Sequence, residues 1–573
     1  MSLGEVNLEC AWALVDELVR GGMVHACVSP GSRSAPIALA LERHPAVKTH
    51  VHLDERSSAF FALGIAKATS RPVGVACTSG TAAAELFPAV VEAWQARVPL
   101  ILLTADRPAR LRFTGANQTI DQIRLYGNYT HAYLEPPLPA PDHVPLGAWR
   151  KAGEAATRAV FGGSEEELPV RPPGPVQVNC SFDEPLVPDE AWQAPHDPTE
   201  PGDLLRGYTL PTIYYPEFVA LVTGVERGVV VIGSLPNRAD DALFLAERLG
   251  WPVLAEPTSN LRLPDRALAA GQGLISNTEW TVSMTPDVVV QFGAAPTRRV
   301  TQRMIASSKL VVVDSHHPDP DTEHRAAVRV RPWRPGIGRE LADDLPPSPG
   351  ETEWFAAWRA ADLAGRNAMD AIMSSWDEPF EGRVARDLAA AIPDGGTLVV
   401  GSSMPIRDLD SFMAPRAGLR VLANRGASGI DGFVSTALGV AAAGTPTYAL
   451  CGDLTFLHDV GALFWNARRG LDAIIVVLNN GGGTIFGFLP QRALPEFERL
   501  FETPHGLDLG AICAAAGAGH TRVERAAELI SAVGSAAAAG GVHVVEVLID
   551  AELDRARHGD VQAAVDEALR PLV

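Results

Sequence analysis

YALCGDLTF at 448–456 and AIIVVLNNGGGTIF at 473–486 are two apolar runs, each ending in glycine and small polar residues. Short apolar runs bounded by Gly, Asp and Asn are strand signals, and the segment between them is long enough for a helix. The whole reads as a strand–helix–strand unit of a parallel sheet. Asp453 and Asn480 then emerge at the same carboxyl edge, where ligands bind in such sheets. A carboxylate beside an amide oxygen is a hard-oxygen donor set, suited to a Mg²⁺ ion that keeps phosphate oxygens in its shell. Gly481, Gly482 and Gly483 let the backbone come close to an ion, so the Gly482 carbonyl is the expected third protein ligand. Taken singly, GD and NNGG are also ordinary turn chemistry. Their pairing at neighbouring strand ends favours the metal and diphosphate reading.

The same rhythm extends in both directions from this unit. TLVVGSS, RVLANRG and VHVVEVLI complete a third block, while VHACVSP, VGVACTS, LILLTAD and PVQVNCS mark a first one. Helical stretches such as SSAFFALGIAKA, TAAAELFPAVVEAWQ and the one carrying Trp354, Trp358 and Trp376 separate or precede the strands. A second block holds GVVVIGS, WPVLAEP, DVVVQFG and KLVVVDS. Its VVVIGSLPNRAD (229–240) sits where a dinucleotide loop could be, but lacks the G-x-G-x-x-G spacing that admits a pyrophosphate. Pro- and acid-rich linkers fall at about 184–205 and at RPWRPGIGRELADDLPPSPG, 331–350. The expected fold class is α/β, with three doubly wound parallel-sheet domains at 1–185, 205–345 and 375–573. The first and third are alike in rhythm but show no clear sequence repeat.

A chain of 573 residues exceeds one hydrophobic core, since domains usually run to ~100–200 residues. With 47% hydrophobic and 20% charged residues it has the balance of a folded enzyme. Its 48 basic against 68 acidic residues give a net charge of −20, which repels nucleic acid and anionic lipid. An anionic substrate must therefore meet a local basic patch, and arginine dominates the basic residues. The six cysteines are scattered, without a CxxC pair, and read as reduced packing residues. No secretory leader and no integral membrane segment is legible, so a cytoplasmic protein is expected.

The 453/480 pair resembles the diphosphate-binding motif of the thiamine-diphosphate-dependent enzymes, with Leu454 standing where that motif usually has glycine. SPGSRSAP (29–36), HLDERSSAF (52–60), TSGTAAAELFPAVVEA (78–93), LTADRP (103–108), GANQTIDQ (115–122), NRGASGIDG (424–432) and GDLTFLHD (452–459) narrow the resemblance. It covers essentially the whole chain and points to the 2-succinyl-5-enolpyruvyl-6-hydroxy-3-cyclohexene-1-carboxylate synthase family of menaquinone biosynthesis, the MenD family. The resemblance implies pyrimidine-binding, central and diphosphate-binding domains, thiamine diphosphate with Mg²⁺ or Mn²⁺, and a homodimer or dimer of dimers with sites shared between chains. It implies decarboxylation of 2-oxoglutarate and conjugate addition of the resulting carbanion equivalent to isochorismate.

Residue roles follow from the same resemblance. Glu55, alone, could be a first-turn charge that favours a helix N-terminus. In the family a glutamate at this place bonds a ring nitrogen of the cofactor's aminopyrimidine and starts its activation, a role that burial would suit by raising the carboxyl pKa. Gly452, Asp453, Leu454, Asn480, Ser403 and Ile430 match cofactor-binding positions, Ile430 as the apolar prop. Ser32, Arg33, Arg107, Gln118, Arg299, Ser403, Arg407 and Arg425 match substrate-binding positions. Arg33, Arg107, Arg407 and Arg425 are expected on loops, where bidentate pairing could take up the substrates' carboxylates. In APTRRVTQR the register of Arg298 and Arg299 stays open, and a surface ion pair is the competing account of every one of these arginines.

Two other readings remain. Another thiamine-dependent enzyme, such as an acetohydroxyacid synthase or a simple 2-oxo acid decarboxylase, would need fewer arginines. A cofactor-free structural subunit would have no need of Glu55, Asp453 and Asn480 together.

Overall fold

In the computed structural model every one of those apolar runs forms a strand, and all strand pairing among the described residues is parallel. Described here are residues 1–142, 144–163, 171–188, 192–194, 198–202, 214–235, 240–313, 319–330, 336–467 and 469–572. Residues 236–239 of the weighed dinucleotide loop, parts of both linkers and the end of KLVVVDS lie outside them.

The first sheet contains β1 (His25–Val28), β2 (Lys48–Val51), β3 (Val73–Cys77), β4 (Leu100–Asp106), β5 (Tyr133–Leu134) and β6 (Val176–Ser181), in the order β2-β1-β3-β4-β6-β5. The second contains β7 (Gly228–Ile232), β8 (Val253–Ala255), β9 (Val288–Phe292), β10 (Lys309–Val313) and β11 (Ala326–Arg329), ordered β11-β10-β9-β7-β8. The third contains β12 (Thr397–Val400), β13 (Arg420–Ala423), β14 (Thr447–Gly452), β15 (Ala473–Asn479), β16 (Gly519–Val523) and β17 (Val542–Leu548), ordered β13-β12-β14-β15-β17-β16. The first and third sheets therefore share one strand order, although their sequences show no repeat. In both, the order reverses beside the first strand, between β1 and β3 and between β12 and β14. Crevices for ligands open at such switch points, outside the carboxyl ends of the strands.

By packing, the chain forms two units: Met1–Thr209 with Asn424–Thr445 and His458–Leu471, and Leu210–Ala423 with Pro446–Leu457 and Asp472–Val573. The first unit is built on the first sheet. Its central strands β3, β4 and β6 are buried along their whole length, as expected of a parallel sheet covered on both faces. Trp149, Leu14, Leu103 and Phe182 lie in its core. Two of its helices, Glu55–Thr69 and Phe433–Ala442, pack backbone to backbone. A Cβ on Gly64 would lie 2.1 Å from the Thr436 carbonyl oxygen, and one on Gly439 2.1 Å from that of Phe61. Only glycine allows that approach.

The second unit holds the other two sheets, each with its own apolar cluster, around Val230, Val290 and Val311 in one and Leu398, Leu450 and Val476 in the other. All six cysteines are free and buried, as the packing reading expects.

Three details depart from expectation. The stretch TAAAELFPAVVEAWQ is two helices, Thr81–Glu85 and Phe87–Ala96, because Pro88 cannot continue the first and is tolerated only in the opening turn of the second. Trp376 lies beyond the helix Glu353–Ser374 that carries Trp354 and Trp358. Arg407 is on a helix, Met404–Phe412, and not on a loop.

Candidate active site

The carboxyl edge of β14 and β15 is built as the spacing requires. Leu450, Cys451 and Gly452 pair in register with Val476, Val477 and Leu478, so Asp453 and Asn480 follow the ends of adjacent strands. Asp453 opens a short helix and is 1% exposed. Its Oδ1 accepts from the Leu454 amide at 2.6 Å and its Oδ2 from the Gly481 amide at 2.8 Å. Burial raises its carboxyl pKa, while those amides and His505, 3.3 Å from Oδ2, oppose the rise. His505 carries no motif signal; it reaches Asp453 from a segment more than fifty residues downstream.

Asn480 donates from Nδ2 to Glu381 Oε1 and to Thr484 Oγ1, each at 2.7 Å, and accepts at Oδ1 from the Gly482 amide at 3.3 Å. The Gly482 carbonyl accepts from the Thr484 amide at 3.0 Å and retains a second lone pair. Gly481 has φ +85°, and a Cβ on Gly452 or Gly481 would meet no heavy atom within 4 Å, so the edge is open there. Gly482 is different: a Cβ would lie 2.3 Å from the Glu502 carbonyl oxygen. An open edge, one carboxylate, one amide oxygen and one carbonyl make a fitting donor set for a hard divalent cation with a diphosphate.

On the neighbouring strand, β12 ends before Gly401, Ser402 and Ser403, and the helix Met404–Phe412 follows. Arg407 Nη1 folds back on the carbonyls of Ser402 (3.2 Å) and Ser403 (2.6 Å), which brings Arg407 and Ser403 together at the switch point. Behind them lies a buried charged group that the sequence did not reveal. His558 Nε2 is 2.9 Å from Asp408, Asp554 Oδ1 accepts from the Glu381 amide at 2.8 Å, and Glu381 holds Asn480. Burial pushes Glu381 well above and Asp554 up to about 6, while for His558 burial is outweighed by Asp408 and Asp554, which hold it up at about 9. Arg299 opens the helix Arg299–Ala306 beyond β9 and is exposed.

In the first unit, Glu55 opens its helix behind the N-cap Asp54, whose side chain accepts from the Ser57 amide. It is half-buried, and burial raises its carboxyl pKa, with Asp54 and Glu85 adding to the rise. Arg33 and Arg107 are both buried. Arg33 donates to the Phe182 carbonyl and to Glu184, each at 2.9 Å, so the ion-pair account holds for it in part. Arg107 donates to Ser79 Oγ and, at 2.6 Å, to the Gln118 carbonyl. Burial and the nearby Arg33 lower its pKa. Gln118 has φ +53° and returns a hydrogen bond from Nε2 to the Ser79 carbonyl. Arg33, Arg107 and Gln118 thus form one cluster, with Ser32 exposed beside it.

Arg425 and Ile430 share the 424–432 loop. Glu92 holds that loop, accepting from the amides of Gly426 (3.0 Å) and Ala427 (2.6 Å). Lys67 bridges Glu92 (3.1 Å) and Asn424 (2.8 Å). Neither Glu92 nor Lys67 stands out in the sequence. Ile430 is 37% exposed.

Comparison with known proteins bears on this edge directly. The N-terminal TPP-binding domain of thiamine pyrophosphate enzymes matches residues 8–125, and the C-terminal TPP-binding domain matches 408–547. A protein of Thermobifida fusca (strain YX) is 42% identical over 579 residues, covering 98% of this chain and 99% of that protein. One of Geobacillus kaustophilus (strain HTA426) is 41% identical over 553 residues, covering 94% of each. Both are named 2-succinyl-5-enolpyruvyl-6-hydroxy-3-cyclohexene-1-carboxylate synthase. The chain belongs to this synthase family. Of the residues matched to the synthase pattern, Ser32, Arg33, Glu55, Arg107 and Gln118 fall in the first matched segment. Arg425, Ile430, Asp453, Asn480 and Gly482 fall in the second. Arg299, Ser403 and Arg407 lie outside both.

Proposed function

We propose that this chain decarboxylates 2-oxoglutarate and adds the resulting carbanion equivalent to isochorismate, giving 2-succinyl-5-enolpyruvyl-6-hydroxy-3-cyclohexene-1-carboxylate for menaquinone biosynthesis. The reading is carried by Asp453, Asn480 and Gly482 at one carboxyl edge, beside a switch point that also holds Ser403 and Arg407. Asp453 Oδ, Asn480 Oδ1 and the Gly482 carbonyl would hold Mg²⁺ or Mn²⁺, and with it the diphosphate of thiamine diphosphate, with Gly452 and Leu454 alongside. When bound, that cofactor supplies the electron sink for decarboxylation.

The chain's own residues do the rest. Glu55, whose carboxyl pKa is raised by burial, would share a proton with the cofactor's pyrimidine ring, and Ile430 would support the cofactor as an apolar prop. Arg33, Arg107, Arg299, Arg407 and Arg425 orient the carboxylates of the two substrates, with Ser32, Gln118 and Ser403 as hydrogen-bonding partners. Domains at 1–185 and 375–573 would take the pyrimidine and diphosphate ends of the cofactor, and 205–345 forms the central domain. The working form is a homodimer or dimer of dimers in the cytoplasm. No helix among the described residues is long and apolar enough to cross a membrane, and the charge of −20 disfavours nucleic acid.

The test is incubation with thiamine diphosphate, Mg²⁺ and 2-oxoglutarate, with and without isochorismate, following carbon dioxide and product by mass spectrometry. Product mass is expected only when both substrates are present. Carbon dioxide from pyruvate but not from 2-oxoglutarate would overturn the assignment.

A further inference from the structure

Burying a carboxylate is costly unless it is given partners, and Glu381 is only 2% exposed at the first position of the helix Glu381–Ala391. Its Oε1 accepts from Asn480 Nδ2 at 2.7 Å. The second Nδ2 hydrogen goes to Thr484 Oγ1, also at 2.7 Å. With both hydrogens committed on one side, Oδ1 is turned the other way, toward the Gly482 amide 3.3 Å off, and keeps a lone pair for a further partner. In this orientation one amide nitrogen supplies the hydrogens that the Glu381 and Thr484 oxygens accept, and the carbonyl oxygen is left for the Gly482 side. The helix start is itself anchored, since the Glu381 amide donates to Asp554 Oδ1 at 2.8 Å.

We propose that Glu381 is a positioning residue for the metal site: by accepting from Asn480 Nδ2 it fixes the side-chain amide so that its carbonyl oxygen faces the ion. The inference rests on the metal reading given under Proposed function. A partner in this outer position orients a ligand without touching the metal, and its loss typically weakens metal binding by roughly 10–100-fold.

The test is Mn²⁺ titration by electron paramagnetic resonance on the full-length protein with thiamine diphosphate, which reads metal affinity without turnover. Glu381→Leu is expected to weaken Mn²⁺ binding by roughly tenfold or more. Glu381→Gln keeps a carbonyl acceptor and is expected to recover most of that loss. Wild-type affinity in a folded Glu381→Leu protein overturns the proposal. So does an equal loss in both variants, which would mean that the charge itself acts on the ion. Should Glu381→Leu not fold, the Asn480→Asp background decides. That change sets two carboxylates in contact, and adding Glu381→Gln supplies an amide donor between them, so the double variant is expected to bind Mn²⁺ more tightly than Asn480→Asp alone. No recovery overturns the proposal. Asp453→Ala separates the two levels: cofactor-dependent Mn²⁺ binding absent from wild type, or unchanged in Asp453→Ala, sinks the metal reading itself. Intact binding that ignores Glu381 sinks only the positioning role.

Discussion

Arg407 shows how position on an element changes what a residue can do. Because it stands in the first turn of the helix Met404–Phe412 and caps the carbonyls of Ser402 and Ser403, its guanidinium is held in place before any substrate arrives. Less rotamer freedom is then lost on binding a carboxylate. Arg407→Ala is expected to reduce kcat/KM for the dicarboxylate 2-oxoglutarate by at least about tenfold more than for a monocarboxylate analogue, on the scale of one charge-assisted hydrogen bond. Steady-state kinetics with both donors checks it; equal losses would assign Arg407 a structural role. Asp453 and Asn480 were legible as candidates because each follows a strand end directly, a local property of the chain, whereas Glu55 was marked out only by the family resemblance. Glu381, His505 and Glu92 were not, because their partners are far off in sequence and only the folded backbone brings them together.

Among elements, the helix pair Glu55–Thr69 and Phe433–Ala442 depends on mutual access of two glycines, and this gives one substitution opposite signs at two places. Gly439→Ala gains helix propensity of about 1 kcal/mol but drives a Cβ to within 2.1 Å of the Phe61 carbonyl oxygen, and overpacking of that kind costs about 1–3 kcal/mol or more. Gly534→Ala, in the helix Leu529–Ala539, meets nothing within 4 Å and keeps the propensity gain. Thermal unfolding is expected to show a lower Tm for Gly439→Ala and an unchanged or higher one for Gly534→Ala; two shifts of the same sign would refute the close-crossing account. The central strands were readable as continuous apolar runs. The edge strands β5, β11 and β16 were not, since β5 has only two residues, AAVR of β11 buries a single valine and ends in a charge, and GHTRV carries polar and charged groups on an open margin.

For the molecule as a whole, the shared strand order of the first and third sheets shows that topology can repeat where sequence does not, because many apolar sets satisfy one parallel pattern. Whether working sites draw on two chains, as the family resemblance implies, is open to a mixing experiment. Glu55→Gln and Asp453→Ala proteins, each nearly inactive, are co-expressed. If the two residues serve a site from different chains, random pairing restores about a quarter of wild-type activity; if from one chain, nothing returns, once native mass spectrometry has confirmed hybrid dimers. The Lys67–Glu92–Asn424 bridge bears on handling the protein at the bench. The chain has only four lysines, and Lys48, Lys151 and Lys309 are exposed, whereas the Lys67 side chain is 7% accessible. Lysine-directed labels therefore meet three side chains on the folded chain, whereas lysine-specific proteases must wait for opening even there, because Lys48 and Lys309 begin paired strands and Lys151 lies in the helix Leu146–Val160. A label or cut at Lys67 is a clock for the opening of the unit that encloses it.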